Sequence, residues 1–195
     1  MDPSQQTRPI TFEEYLELEE ASPIKHELVA GYMFEYNGSE VRGLAGATRQ
    51  HNSISMNIAA QLWNAAAGGP CRVFGSDMKL RVHGETGYYP DIQVVCDPSD
   101  AAPLYTTRPC LIVEVLSPST AAVDRREKLL EYQSLDSLQA YLIAWSDERR
   151  CLLHYRGEDG QWLSAFKGAD DVIALHCPEL TLSLEQIYTG VSFAD

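Results

Sequence analysis

Leu111-Ile112-Val113-Glu114-Val115-Leu116 is apolar at every position but one, and Ser117-Pro118 follows as a stop. An apolar run this short reads as a strand buried on both faces. Such a strand belongs inside a sheet, and a carboxylate within it is expensive unless something pairs with it. A second segment, residues 88–96, carries Asp91 among apolar neighbours. Two inward-facing acids on successive strands suggest a metal site.

The 195 residues are enough for a full core, and one domain is the expectation. Residues 1–10 read as a flexible tail and 11–195 as the domain. The polar start lacks an apolar signal segment, and no apolar run reaches the roughly 18 residues of a membrane span. The five cysteines are odd in number, scattered and mostly inside apolar segments. That suits buried reduced thiols and a cytoplasmic setting, with no membrane partner. No C-x-x-C or H-x-x-x-H spacing is present to build a tetrahedral zinc site. The net charge of -13 weighs against non-specific binding to nucleic acid. It does not exclude a local cleft of other character, because net charge is a sum over the molecule.

Along the chain, Thr11-Phe12-Glu13-Glu14 is a capping-box pattern that opens a helix over 11–19, with Phe12, Tyr15 and Leu16 inward. Residues 25–35 read as a hairpin turning at Ala30-Gly31, with Glu27 just before the turn. Residues 37–49 read as a glycine-rich loop. Residues 51–67 form a helix, since Ile54, Ile58 and Leu62 recur at helical spacing and Gly68-Gly69-Pro70 ends it. His51 in its first turn is either a cap or a polar group at a cleft edge. Residues 71–82 read as one strand with Asp77, Lys79 and Arg81 on its polar face. Residues 88–96 form the next strand, and 97–109 a loop. After the Glu114 strand come a helix over 124–134, a buried strand over 140–145, a meander over 151–166 and a short helix over 183–188. The sum is a mixed α/β domain around a central sheet.

Strand alternation puts Tyr89, Asp91, Gln93 and Val95 on one face, and Cys110, Ile112, Glu114 and Leu116 on one face of the other strand. If the strands are neighbours, Asp91 and Glu114 lie side by side. Two close carboxylates repel, and one must hold a proton unless a cation lies between them. Oxygen donors without Cys or His favour Mg2+ or Mn2+. Such an ion polarises a phosphoryl oxygen and activates water, the equipment for hydrolysing a phosphodiester. The competing account is a buried acid paired with an Arg or a helix N-terminus.

Pro90-Asp91 followed by Glu114-Val115-Leu116 resembles the PD-(D/E)XK nuclease superfamily. More closely, the chain is similar to the Uma-type putative restriction endonuclease family of bacteria. The matching segments are Thr11-Phe12-Glu13-Glu14-Tyr15, Glu27-Leu28-Val29-Ala30-Gly31, Tyr89-Pro90-Asp91-Ile92, the run from Leu111 to Thr120, Asp124-Arg125-Arg126-Glu127-Lys128, Tyr132 and Ala140-Tyr141-Leu142-Ile143. The resemblance implies a restriction-endonuclease-like mixed central sheet flanked by helices, with β-hairpins added at the edges. It implies a DNA endonuclease in which Asp91 and Glu114 hold the divalent ion and Glu27 adds a metal or water ligand. The superfamily places a lysine two residues after the Glu, where this chain has Leu116. Lys128 is the expected replacement, with Lys79 in reserve. Duplex cleavage favours a homodimer. The alternatives are a nuclease fold that only binds or regulates, and a metal-dependent hydrolase of a small phosphorylated substrate. Ser117 and Ser119 do not form a serine-hydrolase elbow, since no G-x-S-x-G is present.

Overall fold

In the computed structural model the described residues are 6–36, 48–116 and 124–193. Thr11 caps the first helix, α1 (Phe12–Glu20), in a complete capping box with Glu14. Gln6 and Ile10 lie against the hairpin that follows: Gln6 Nε2 donates to the Gly31 carbonyl at 2.6 Å, and Ile10 is buried. That hairpin is β1 (His26–Val29) and β2 (Tyr32–Glu35), turning at Ala30-Gly31 with positive φ at both positions. Two positive φ values in a two-residue turn match the right-handed twist of the strands they join. A side chain at Gly31 would meet Pro9 Cβ at 2.7 Å.

Helix α2 (Arg49–Ala66) buries His51, Ile54, Ile58, Leu62 and Ala66, which recur at three- and four-residue intervals. The segment read as one strand over 71–82 is two. β3 (Arg72–Gly75) and β4 (Lys79–His83) are separated by a turn at 76–78 and enter different sheets. The segment over 88–96 also divides. β5 (Thr86–Tyr88) ends before Pro90, and β6 (Ile92–Val95) begins after Asp91. Proline cannot donate to a ladder, so the chain leaves one sheet and joins the other there. A two-residue strand, β7 (Tyr105–Thr106), lies in the stretch read as a loop.

The remaining elements are β8 (Leu111–Leu116), α3 (Asp124–Gln133), β9 (Ala140–Trp145), β10 (Cys151–Arg156), β11 (Trp162–Lys167), β12 (Val172–His176), β13 (Glu179–Ser183) and α4 (Leu184–Ile187). The 12-13 ribbon has no counterpart in the sequence reading. Residues 117–123, between β8 and α3, and most of the glycine-rich loop lie outside the described residues.

The central sheet has six strands in the order β11-β10-β9-β8-β6-β3. It is mixed: β8 and β9 are parallel and joined through α3, whereas β6 is antiparallel to β8. A five-stranded sheet runs β2-β1-β5-β4-β7, and β12 pairs with β13 alone. The two faces of β8 enter different cores. Leu111, Val113 and Val115 pack with α2, α4 and the β12–β13 ribbon. Ile112 and Leu116 pack with Tyr132 and Leu135, and with Leu80 and Tyr88 of the five-stranded sheet. Glu114 shares that second parity, at the place where the two sheets and α3 meet.

Candidate metal and catalytic site

The register of β6 on β8 pairs Ile92 with Val113, Gln93 with Ile112 and Val94 with Leu111. One step further brings Asp91 opposite Glu114. The Asp91 amide points at Glu114 Oε2 at 3.4 Å, and both side chains are buried. The Asp91 carboxylate accepts from the Val115 amide at 2.7 Å, which ties it to the partner strand. Asp91 Oδ2 also lies 3.1 Å from His51 Nε2. His51 is therefore a buried partner of the acid rather than a surface cap. Its other nitrogen, Nδ1, has no partner among the described residues.

Glu114 is held from the opposite side. Tyr132 on α3 donates its hydroxyl to Glu114 Oε1 at 3.0 Å. Burial pushes the Glu114 carboxyl up to about 8. The Lys128 charge opposes this, the Asp91 and Glu27 charges add to it, and the Tyr132 hydrogen bond pulls it back. A lone carboxylate in a dry, negative setting holds its proton, and a cation in that setting displaces it.

Lys128 lies one turn before Tyr132 on α3, on the same helix face. It is buried, donates to Glu27 Oε1 at 2.8 Å and has its Nζ 5.2 Å from the centre of the Tyr88 ring. Glu27 reaches this point from β1 of the other sheet. Glu27 and Lys128 thus form a nearly buried ion pair beside the two acids, with a charge that both Glu114 and Tyr36 feel. Among the described residues, the sets that gather three possible metal-ligand atoms within 4.8 Å of one another consist of cysteines, not of these acids. Glu27 Oε1 accepts from Lys128 beside the pair of acids.

Leu116, two residues after Glu114, lies against the second core and is paired with Trp145 on β9. Lys79, the reserve candidate, has its Nζ 5.4 Å from the centre of the Tyr89 ring. Lys25 approaches the same ring at 5.2 Å and that of Tyr36 at 6.0 Å. Tyr36 and Tyr89 pack at 5.7 Å between ring centres. Burial, and then the Asp91 and Glu114 charges, raise the Tyr36 phenol well above its usual range. The Tyr36–Tyr89 pair thus forms a wall beside the acids, with Lys25 and Lys79 on it. Tyr89 is fixed by a hydrogen bond to Glu19 at 2.8 Å, and Glu19 also holds His26. That anchor sits two residues before Asp91 and positions the turn that presents it.

Tyr132 entered the sequence reading as part of the resemblance, with no role at the site, and Tyr36 and Lys25 were not singled out. The four-residue spacing of Lys128 and Tyr132 on one helix was the available signal for Tyr132. No local pattern marks Tyr36 or Lys25, which arrive from the hairpin of a different sheet.

The two acids offer hard oxygen donors and a site that burial and repulsion make unfavourable for two bare charges. Mg2+ and Mn2+ fit this donor set, because they are held by one or two carboxylates together with water and substrate oxygens.

A family model described as putative restriction endonuclease, Uma2, matches residues 12–185. Two proteins of Synechocystis sp. (strain ATCC 27184 / PCC 6803 / Kazusa) are similar over most of the chain. Uncharacterized protein slr1290 is 35% identical over 183 residues, covering 93% of this chain and 92% of its own length. Uncharacterized protein sll1609 is 32% identical over 161 residues, covering 80% and 86%. Among solved structures, a putative nuclease belonging to DUF820 from Anabaena variabilis ATCC 29413 superposes with a TM-score of 0.72. It covers 93% of this chain and 98% of its own, at 18% identity. The fold is restriction-endonuclease-like, as the mixed sheet flanked by helices indicates.

Proposed function

Because the chain belongs to the Uma2 family of putative restriction endonucleases, we propose that it is a Mg2+- or Mn2+-dependent endonuclease that hydrolyses DNA phosphodiester bonds at Asp91 and Glu114. The observation that carries this reading is the antiparallel register that sets these two buried acids opposite each other, with Asp91 locked to the Val115 amide. When bound, the divalent ion supplies Lewis acidity to the phosphoryl oxygen and lowers the pKa of a water.

The chain's own residues then divide the remaining work. Asp91 and Glu114 ligate the ion. His51 orients Asp91 through Nε2, and Tyr132 orients Glu114 through its hydroxyl. Lys128 places a positive charge in a dry setting, where it offsets charge building on the phosphate. It stands in for the lysine that Leu116 replaces on the strand. Glu27 keeps the Lys128 ammonium directed to this place and can position water beside it. Lys79 on the tyrosine wall, and Lys25 on release from its ion pair with Asp77, provide cationic contacts for the strand entering the site. Duplex cleavage by such a site is best served by a homodimer, which brings two sites to two strands by symmetry.

The test is cleavage of plasmid, linear duplex and single-stranded DNA with Mg2+ or Mn2+, by the wild type, Glu114→Ala and Lys128→Ala. The reading expects divalent-dependent cleavage that Glu114→Ala abolishes and Lys128→Ala reduces by about 10²-fold or more. A wild type that binds the ion and cuts no nucleic acid of any form overturns the nuclease assignment. Undiminished cleavage by Lys128→Ala overturns the role given to that lysine.

A further inference from the structure

Four of the five cysteines meet at the end of the central sheet away from the acids. Cys71 precedes β3, Cys96 follows β6, Cys110 precedes β8 and Cys177 lies in the turn between β12 and β13. Asp91 and Glu114 lie toward the other ends of β6 and β8, so four strand residues, or roughly 13 Å, separate the two places. The sulfurs stand as two bonded pairs, Cys71 with Cys96 and Cys110 with Cys177. The pairs are not independent of each other. Cys96 Sγ is 3.1 Å from Cys177 Sγ and 3.5 Å from Cys110 Sγ. One sulfur from each of Cys71, Cys96 and Cys177 falls within 4.8 Å of the others.

We propose that, in the reduced protein, Cys71, Cys96, Cys110 and Cys177 form a tetrathiolate site for one soft divalent cation of the zinc class, which pins the β12–β13 ribbon to the central sheet. Two arguments favour one shared ion over two separate disulfides. Sulfurs of different bridges should rest at the roughly 3.5–4.0 Å of ordinary non-bonded contact, and Cys96 and Cys177 are closer than that. A tetrahedral site with metal–sulfur bonds of about 2.3 Å has sulfur–sulfur edges of roughly 3.8 Å, and the Cys96–Cys110 contact between the pairs, at 3.5 Å, already lies near one. Cys71 and Cys96 also lie one step beyond the β3–β6 ladder, which begins at Arg72–Val95, with Cα atoms 3.9 Å apart. That is nearer than the roughly 4.4–6.8 Å that disulfides span. Side-chain rotation alone can open that pair toward a common ion. Binding displaces four thiol protons and leaves a site of charge -2, which its partial exposure to water tolerates. The ligands come from four separate elements, so no short spacing in the sequence announces them.

The full-length protein, purified anaerobically under reducing conditions, should carry about one zinc per chain. A mercurial reagent should release that zinc as four thiols react. Cobalt exchanged into the protein should give thiolate-to-metal charge-transfer bands and strong tetrahedral d–d bands, which a carboxylate site cannot produce. Cys177→Ser should lower zinc content at least tenfold, and Cys151→Ser, which removes the free buried thiol, should leave it unchanged. The cobalt spectrum of the wild type decides the matter even if Cys177→Ser fails to fold. The proposal is overturned if reduced wild type, incubated with zinc or cobalt, holds no thiolate-bound metal. It is equally overturned if the cysteines are found as two disulfides that take up no metal once reduced.

Discussion

In the proposed reading Glu114 is the residue on which the chemistry turns, because its setting decides its charge. With no ion bound, its folded carboxyl titrates near 8, well above the ordinary range of about 4.5. The folded chain therefore holds a proton there that the unfolded chain has lost between these two values. Stability from this group is fully present below about 4.5, falls as pH rises toward 8, and is flat above it. Glu114→Gln keeps the shape and removes the titration. Denaturant melts of the metal-free protein from pH 5 to 8.5 should show a falling stability that is shallower in Glu114→Gln. An equal slope in both would place the titrating group elsewhere. His51 acts one step further out. Its bond to Asp91 is not needed to hold the strand, since the Val115 amide also holds that carboxylate. His51→Ala should fold and should lose about 10–100-fold in divalent affinity, the usual cost of removing an orienting partner. A titration with Mn2+ monitored by calorimetry measures this directly.

At the scale of elements, the site depends on how tightly the five-stranded sheet closes on its neighbours. Gly87 on β5 pairs with Leu28 and Arg81 and lies under the Phe12 ring. A Cβ there would come within 2.7 Å of Phe12 Cε2, and Phe12 is fully buried. Gly87→Ala should cost about 1–3 kcal/mol by overpacking. Gly75→Ala, where a Cβ meets open space, should cost far less. Urea melts of the two variants read the difference, and equal midpoints would contradict the packing described. The elements legible in the sequence were those with strong local signals. These are the Thr11 capping box, the helical spacing of Ile54, Ile58 and Leu62, the turn at Ala30-Gly31, and the unbroken apolar runs of β8 and β9. The segments over 71–82 and 88–96 misled because alternation continued across a break. Pro90 was the clue in the second. In the first, Gly75 and Asp77 lay inside a pattern that still alternated, and only membership of different sheets separates β3 from β4.

For the whole molecule, a net charge of -13 makes electrostatic attraction to DNA a local matter. Three lysines could meet phosphates near the acids: Lys128, paired with Glu27, Lys25, paired with Asp77, and Lys79 over the Tyr89 ring. Neutralising three phosphates gives a slope of log affinity on log monovalent salt of about -2.7. Fluorescence anisotropy in Ca2+ should give a slope no steeper than about -3, and a much steeper one would require a basic surface outside this site. The pair of acids was readable from the sequence because each broke an apolar run. The contributions of Tyr36, Tyr132 and Lys25, the direction of Glu27 toward Lys128, and the gathering of four cysteines were not. Each is a meeting of elements far apart in the chain, and apart from the helical spacing of Lys128 and Tyr132 no periodicity along one segment carries a trace of it. No helix among the described residues is long and apolar enough to cross a membrane.

The central claim is that Asp91 and Glu114 together hold a divalent ion. Calorimetric titration with Mn2+ at pH 7, repeated in buffers of different ionisation enthalpy, tests it most directly. Because burial raises the Glu114 carboxyl toward this pH, ion binding there should expel a proton. The account predicts one site per chain with that proton release, both lost in Glu114→Ala. Binding that survives Glu114→Ala undiminished, or that proceeds without proton release in the wild type, would contradict it.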